Sequence, residues 1–101
     1  MALFNKHHSL IVCVWPDPSQ DEVKAIDSYS TNMEKKGYQI KKAVSTPQGI
    51  ELIAHTSPEL ILVYDDPSTV ATLKEDRNFA GHYRPSLGAH MAGSLLFERV
   101  A

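Results

Sequence analysis

Leu10-Ile11-Val12-Cys13-Val14-Trp15 and Leu60-Ile61-Leu62-Val63 decide the fold. Both are continuous apolar runs, short and rich in β-branched residues, the pattern of strands covered on both faces. Pro16-Asp17-Pro18 ends the first, because proline supplies no ladder donor. Ser19 then stands three residues before Glu22, the spacing of a capping box in which each side chain satisfies the other residue's free amide. Val23, Ile26, Tyr29 and Met33 follow at helical spacing and form one apolar stripe. Lys35 and Lys36 complement the negative end of that helix, and Gly37 suits its left-handed cap.

A second strand is expected at residues 38–44, with Tyr38, Ile40 and Val44 on one face and Gln39 and Lys41 on the other. Lys42 interrupts the apolar face, which suits a solvated edge. Thr46-Pro47 reads as N-cap plus first-turn proline for a short helix through Ile50, Ile53 and Ala54 to about His55. Pro58 discourages its continuation past Ser57. After the third strand, Asp66-Pro67 opens a helix whose inward residues are Val70, Leu73 and Ala71. Alternating strands and helices indicate an α/β domain with a parallel sheet and right-handed crossovers. Two fully apolar strands and one half-polar strand favour the order 2-1-3, the opening half of a flavodoxin-like, three-layer sandwich.

The last quarter reads as a loop over 77–86, then a helix from Ser86 carrying Leu87, Met91 and Leu95. Its alternative is a loop to Ser94 and a fourth strand from Leu95 to Val100. In the helical reading the third strand keeps an apolar open edge. That predicts self-association, or docking on another protein, through this edge.

One domain fits in 101 residues. Ten Lys and Arg against twelve Asp and Glu give a charge of −2, which argues against nucleic acid or an anionic membrane as the partner. The local patch of Lys35, Lys36, Lys41 and Lys42 has no interleaved aromatics beyond Tyr38. One cysteine, Cys13, excludes an internal disulfide and a cysteine-based zinc site within the chain. No apolar run is long enough for a transmembrane span or a signal-peptide core, so a cytoplasmic location is expected.

Ligands of open parallel sheets bind beyond the carboxyl ends of the strands, where connections diverge. Asp17 follows the first strand there, and Asp65 and Asp66 follow the third. Three such carboxylates form a candidate Mg²⁺ site, with Asp66 also a ready helix cap. Trp15 at the end of the central strand lines a pocket or anchors the core. His82, Arg84 and His90, with Gly81, Gly88 and Ser86, offer a polar loop suited to an anion. A Ser86, His90 and Asp65 arrangement lacks the G-x-S-x-G elbow of a hydrolase. His7 and His8 are adjacent and do not form a ready ligand pair.

Leu10–Asp17, the helix to Gly37, the strand at 38–44 and Pro58-Glu59-Leu60-Ile61-Leu62-Val63-Tyr64-Asp65 resemble the first half of a response-regulator receiver domain. The resemblance covers about residues 9–76. It implies a flavodoxin-like fold, an Asp phosphorylated at the end of the third strand, and Mg²⁺ held by acidic residues after the first. Here Trp15-Pro16 stands where receivers place paired acids, and the acceptor position falls on Tyr64, one residue before Asp65. The later Ser/Thr and Lys of receivers have no counterpart. In these respects the chain is similar to pseudo-receiver domains, including one from a cyanobacterial clock protein. The resemblance therefore implies a non-enzymatic module that works by protein contact. The alternative is a small enzyme or ligand-binding domain, using Trp15, Asp17, Asp65, His82, Arg84 and His90 on a phosphorylated or nucleotide-like molecule.

Overall fold

Local chemistry sets the elements of the computed structural model, which describes residues 9–100; His7 and His8 lie outside them. Strand β1 (Ser9–Val14) leads through the proline turn to helix α1 (Gln20–Lys35). The capping box is formed: Ser19 Oγ accepts from the Glu22 amide at 3.2 Å, and the Ser19 amide donates to Glu22 Oε1 at 2.8 Å. Ile26, Tyr29 and Met33 are buried, whereas Val23 is 41 % exposed. Gly37, at φ 98°, turns the chain into β2 (Tyr38–Ala43). Lys42 on the α1 side of β2 meets Asp27 of α1 at 2.7 Å, so a lysine on the apolar face has a partner.

Helix α2 (Thr46–Thr56) starts one residue earlier than expected. Ser45, extended at φ −150°, is the cap and accepts from the Gln48 amide, which leaves Thr46 helical. Strand β3 (Leu60–Tyr64) and helix α3 (Pro67–Glu75) follow, with Asp66 as the α3 cap. Leu73 is buried and Val70 packs against the core, but Ala71 is exposed.

The structure differs most from expectation in the last quarter. A helix from Ser86 does not form; β4 (Tyr83–Pro85) and β5 (Ser94–Arg99) make a hairpin, close to the alternative reading. Gly93 takes φ 78° before β5, a conformation that a helix does not use. Leu96 and Phe97 then bury their side chains on opposite faces of the sheet, as strand alternation requires and one helical stripe does not. The sheet has five strands in the order β2-β1-β3-β5-β4. Strands β2, β1 and β3 are parallel and in the expected order, while β5 runs antiparallel to both β3 and β4. The sheet is therefore mixed, not wholly parallel. The third-strand edge proposed for self-association is occupied by β5 of the same chain.

Each face of the sheet carries its own core. On one, Ile11, Cys13, Trp15, Leu62 and Leu96 pack with Ile26, Tyr29 and Met33 of α1. On the other, Val12, Val14, Ile61, Val63 and Phe97 pack with Ile53 of α2 and Leu73 of α3. Among the described residues, no helix is long and apolar enough to cross a membrane.

Candidate functional site

The parallel register that pairs Val14 with Val63 brings the next residues, Trp15 and Tyr64, together at the carboxyl ends of β1 and β3. Their rings stack with centroids 4.8 Å apart and planes inclined by 26°. Trp15 is held by its backbone, whose amide donates to the Ala43 carbonyl and extends the β1–β2 ladder by one bond. The indole is buried, yet Nε1 has no hydrogen-bond partner among the described residues. It lies near the Glu22 carboxylate without forming a hydrogen bond of good geometry. That carboxyl is held below its ordinary value chiefly by the Ser19 backbone amide.

The acidic residues surround this aromatic pair but do not converge. Asp17 is exposed in a left-handed turn at φ 46°, its amide tied to the Val44 carbonyl. Asp65 is exposed, and its amide donates to the Gly93 carbonyl at 2.9 Å. Asp66 caps α3, its carboxylate accepting from the Thr69 amide at 3.0 Å and the Thr69 hydroxyl at 2.9 Å. Among the described residues, no group of three or more His, Cys, Asp or Glu is placed to hold a metal ion. The three-carboxylate Mg²⁺ site expected from Asp17, Asp65 and Asp66 is thus not assembled. Asp66, the best placed by sequence, is committed to its helix.

The remaining predicted residues lie elsewhere. The amide of Asp65 meets the start of the β5 hairpin, whereas the His82 carbonyl meets Val100 beyond the other end of β5. A six-residue strand separates them by roughly 20 Å. Arg84 pairs with Glu98 across the β4–β5 ladder, Nε to Oε2 at 2.8 Å. This contact, with Ser86 beside it, holds the Glu98 carboxyl below its ordinary value. His90 is exposed in the 86–93 loop, its Nδ1 3.2 Å from the Gly88 carbonyl. Ser86 Oγ accepts from the Gly88 amide, so Ser86 and His90 each bond within the loop.

A groove that the sequence reading did not find lies at the opposite end of the sheet. Its volume is about 460 Å³, and its lining includes Met33 of α1, the capping residue Lys36, Tyr38, Leu60, Leu96 and Arg99. Loop 86–93 forms its far wall, tied to α1 by the Tyr29 hydroxyl, which donates to the Ala89 carbonyl at 3.1 Å. The groove depends on the antiparallel course of β5, for which no residue near Lys36 or Leu60 carries a signal. Comparison with protein-family models, with curated proteins and with solved structures finds no match for the chain.

Proposed function

We propose that this chain is a cytoplasmic, receiver-like regulatory module that acts by contact with another protein and not by phosphoryl transfer. The order β2-β1-β3, with α1 on one face and α2 and α3 on the other, supports the flavodoxin-like part of this reading. One observation carries the rest. At the position where a receiver presents its acceptor carboxylate, Tyr64 is stacked on a buried indole, and the adjacent acids are exposed or used as a helix cap. Such a surface offers a rigid aromatic contact flanked by the negative charges of Asp17 and Asp65. It suits a partner with basic side chains around an apolar anchor.

A second reading rests on the Trp15 N–H, a buried donor with no hydrogen-bond partner among the described residues, which a ligand acceptor could satisfy at the same crevice. Trp15 is the chain's one tryptophan, so its fluorescence reports on this position alone. Titration with Mg²⁺ and beryllofluoride separates the readings. The contact module predicts no saturable change. Saturable quenching that disappears in Asp65→Asn would overturn it in favour of the ligand site. The contact itself is read by photo-crosslinking from position 65 in cells. A discrete adduct lost on Asp17→Lys is expected, and a yield no higher than from position 24 on α1 counts against the surface.

A further inference from the structure

We propose, resting on the contact-module reading, that the apolar pocket between α1 and the end of β2 seats one aliphatic side chain of the partner protein, flanked there by Lys or Arg. Side chains of a strand alternate, so Tyr38, Ile40 and Lys42 of β2 share the α1 face. Tyr38 and Ile40 pack on the core, but the third position, opposite Cys13, is a lysine. Its ammonium reaches out to Asp27 at 2.7 Å. The core beside Trp15 and Ile26 thus lacks the large apolar side chain that β2 supplies earlier in the strand. A pocket of about 120 Å³ remains there.

Size, rim and charge define what fills it. An apolar cavity of about 150 Å³ holds one benzene, whereas organic ligands and cofactors occupy sites of roughly 300–1,000 Å³. The pocket therefore takes one side chain, not a metabolite. Val23 and Val44 form its rim and are 41 % and 56 % exposed. Among the described residues four large apolar side chains are exposed, and two of them line this one pocket. Singly scattered they would need no explanation, but a pair flanking an apolar pocket matches the surroundings of an interface anchor. The charge is one-sided as well. Lys42 and Asp27, both in the wall, neutralise one another. Asp17 stands beside the rim, its amide tied to the Val44 carbonyl, and makes no ion pair among the described residues. The chain leading into the pocket, residues 17–24, carries Asp17, Asp21 and Glu22 against Lys24. Even with the positive end of α1 here, the balance stays negative, which favours a basic neighbour for the inserted side chain.

The test is an amide-resolved NMR titration of the full chain with the peptide acetyl-Lys-Lys-Leu-Lys-Lys-amide. One control peptide carries Ala in place of Leu, and another carries Glu in place of every Lys. Saturable shifts are expected at Trp15, Val23, Ile26 and Val44, with both controls at least about tenfold weaker. Val23→Ser and Val44→Ser should each weaken the leucine peptide about fivefold. Val100→Ser, which removes an exposed valine beyond β5, should leave its binding unchanged. Absence of saturable shifts at these amides up to millimolar peptide would overturn the proposal. So would equal affinity for either control, or an equal loss in Val100→Ser. Shifts at Val23 and Val44 that grow with protein concentration alone would give the pocket to a second copy of the chain, and would overturn it too. Because the titration needs only the chain and a peptide, its failure removes this pocket as the anchor site and leaves the position-65 adduct to judge the contact reading.

Discussion

Gly49 in α2 has no room for a side chain. A Cβ at this position would stand 2.6 and 2.7 Å from the two methyl groups of Val14, itself fully buried in β1. Helix propensity favours alanine over glycine by about 1 kcal/mol, but overpacking a rigid core typically costs about 1–3 kcal/mol. Packing prevails here because Val14 sits between two strands and has nowhere to move. Gly49→Ala is therefore expected to destabilise the protein by roughly 1–2 kcal/mol in urea unfolding. In a Val14→Ala background the same change should be neutral or stabilising. Equal costs in both backgrounds would place the strain elsewhere.

Cys13 and Tyr29, both in the core on the α1 face, make a prediction about alkaline pH. Burial pushes the Cys13 thiol up to about 12, and burial likewise raises the Tyr29 phenol to about 12. In the unfolded chain these groups ionise near ~8.5 and ~10. Between those values and 12 the native state retains protons that the unfolded state has released, so stability falls as pH rises. The decline should begin near pH ~8.5 and steepen above ~10. In Cys13→Ala the first part should vanish, leaving an onset near ~10. Urea midpoints measured across this range decide it, and identical slopes in the two proteins would refute the assignment to Cys13.

At the scale of elements, the 86–93 loop depends on few bonds. Tyr29 fastens it to α1, Ser94 Oγ closes its base by bonding both the amide and the carbonyl of Met91, and Leu87 is fully exposed. Removing one hydroxyl from a hydrogen bond of this kind costs about 0.5–1.5 kcal/mol. Tyr29→Phe should have its effect locally, since the ring still fills the core beside Met33 and Ile26. Amide exchange is expected to accelerate at Gly88 to Ala92 while β1 and β3 keep their protection. Acceleration spread evenly over the sheet would mean that the ring, not the hydroxyl, matters. The helices need no such tertiary fastening at their starts. Ser19, Ser45 and Asp66 each accept a backbone amide of the first turn. That is why the starts of α1 and α3 can be read residue by residue, and why adjacent hydroxyls at Ser45 and Thr46 misplace the start of α2 by one.

For the whole molecule, the parallel half was legible because its determinants are local: two apolar runs, a lysine-bearing strand and three capped helices. The antiparallel half was not, because Leu87, Met91 and Leu95 match a helical stripe as well as Leu95 to Phe97 match a strand. The choice is made by β3, whose free edge needs a ladder partner along Leu60–Tyr64. The candidate site divides in the same way. Trp15, Tyr64, Asp17 and Asp65 follow from strand ends, whereas the positions of His82, Arg84 and His90 depend on a hairpin whose course they do not encode.

This dependence yields a prediction about association. Strand β5 contributes Leu96 and Phe97 to the two cores and covers the backbone of β3. A chain ending at Ala80 would retain both parallel pairs, β1 with β2 and β1 with β3, together with all three helices. It would also expose the apolar edge of Leu60 to Val63 as an unprotected pairing surface. The shortened chain is expected to sediment as dimers or larger species at micromolar concentration, with the full chain at monomer mass under the same conditions. A peptide of residues 81–101 added in excess should compete for the edge and shift the shortened chain toward a one-to-one complex. A shortened chain that stays monomeric and unfolds cooperatively would show that β3 does not need β5. The hairpin would then have to be explained by the groove it builds over β3, not by the edge it covers.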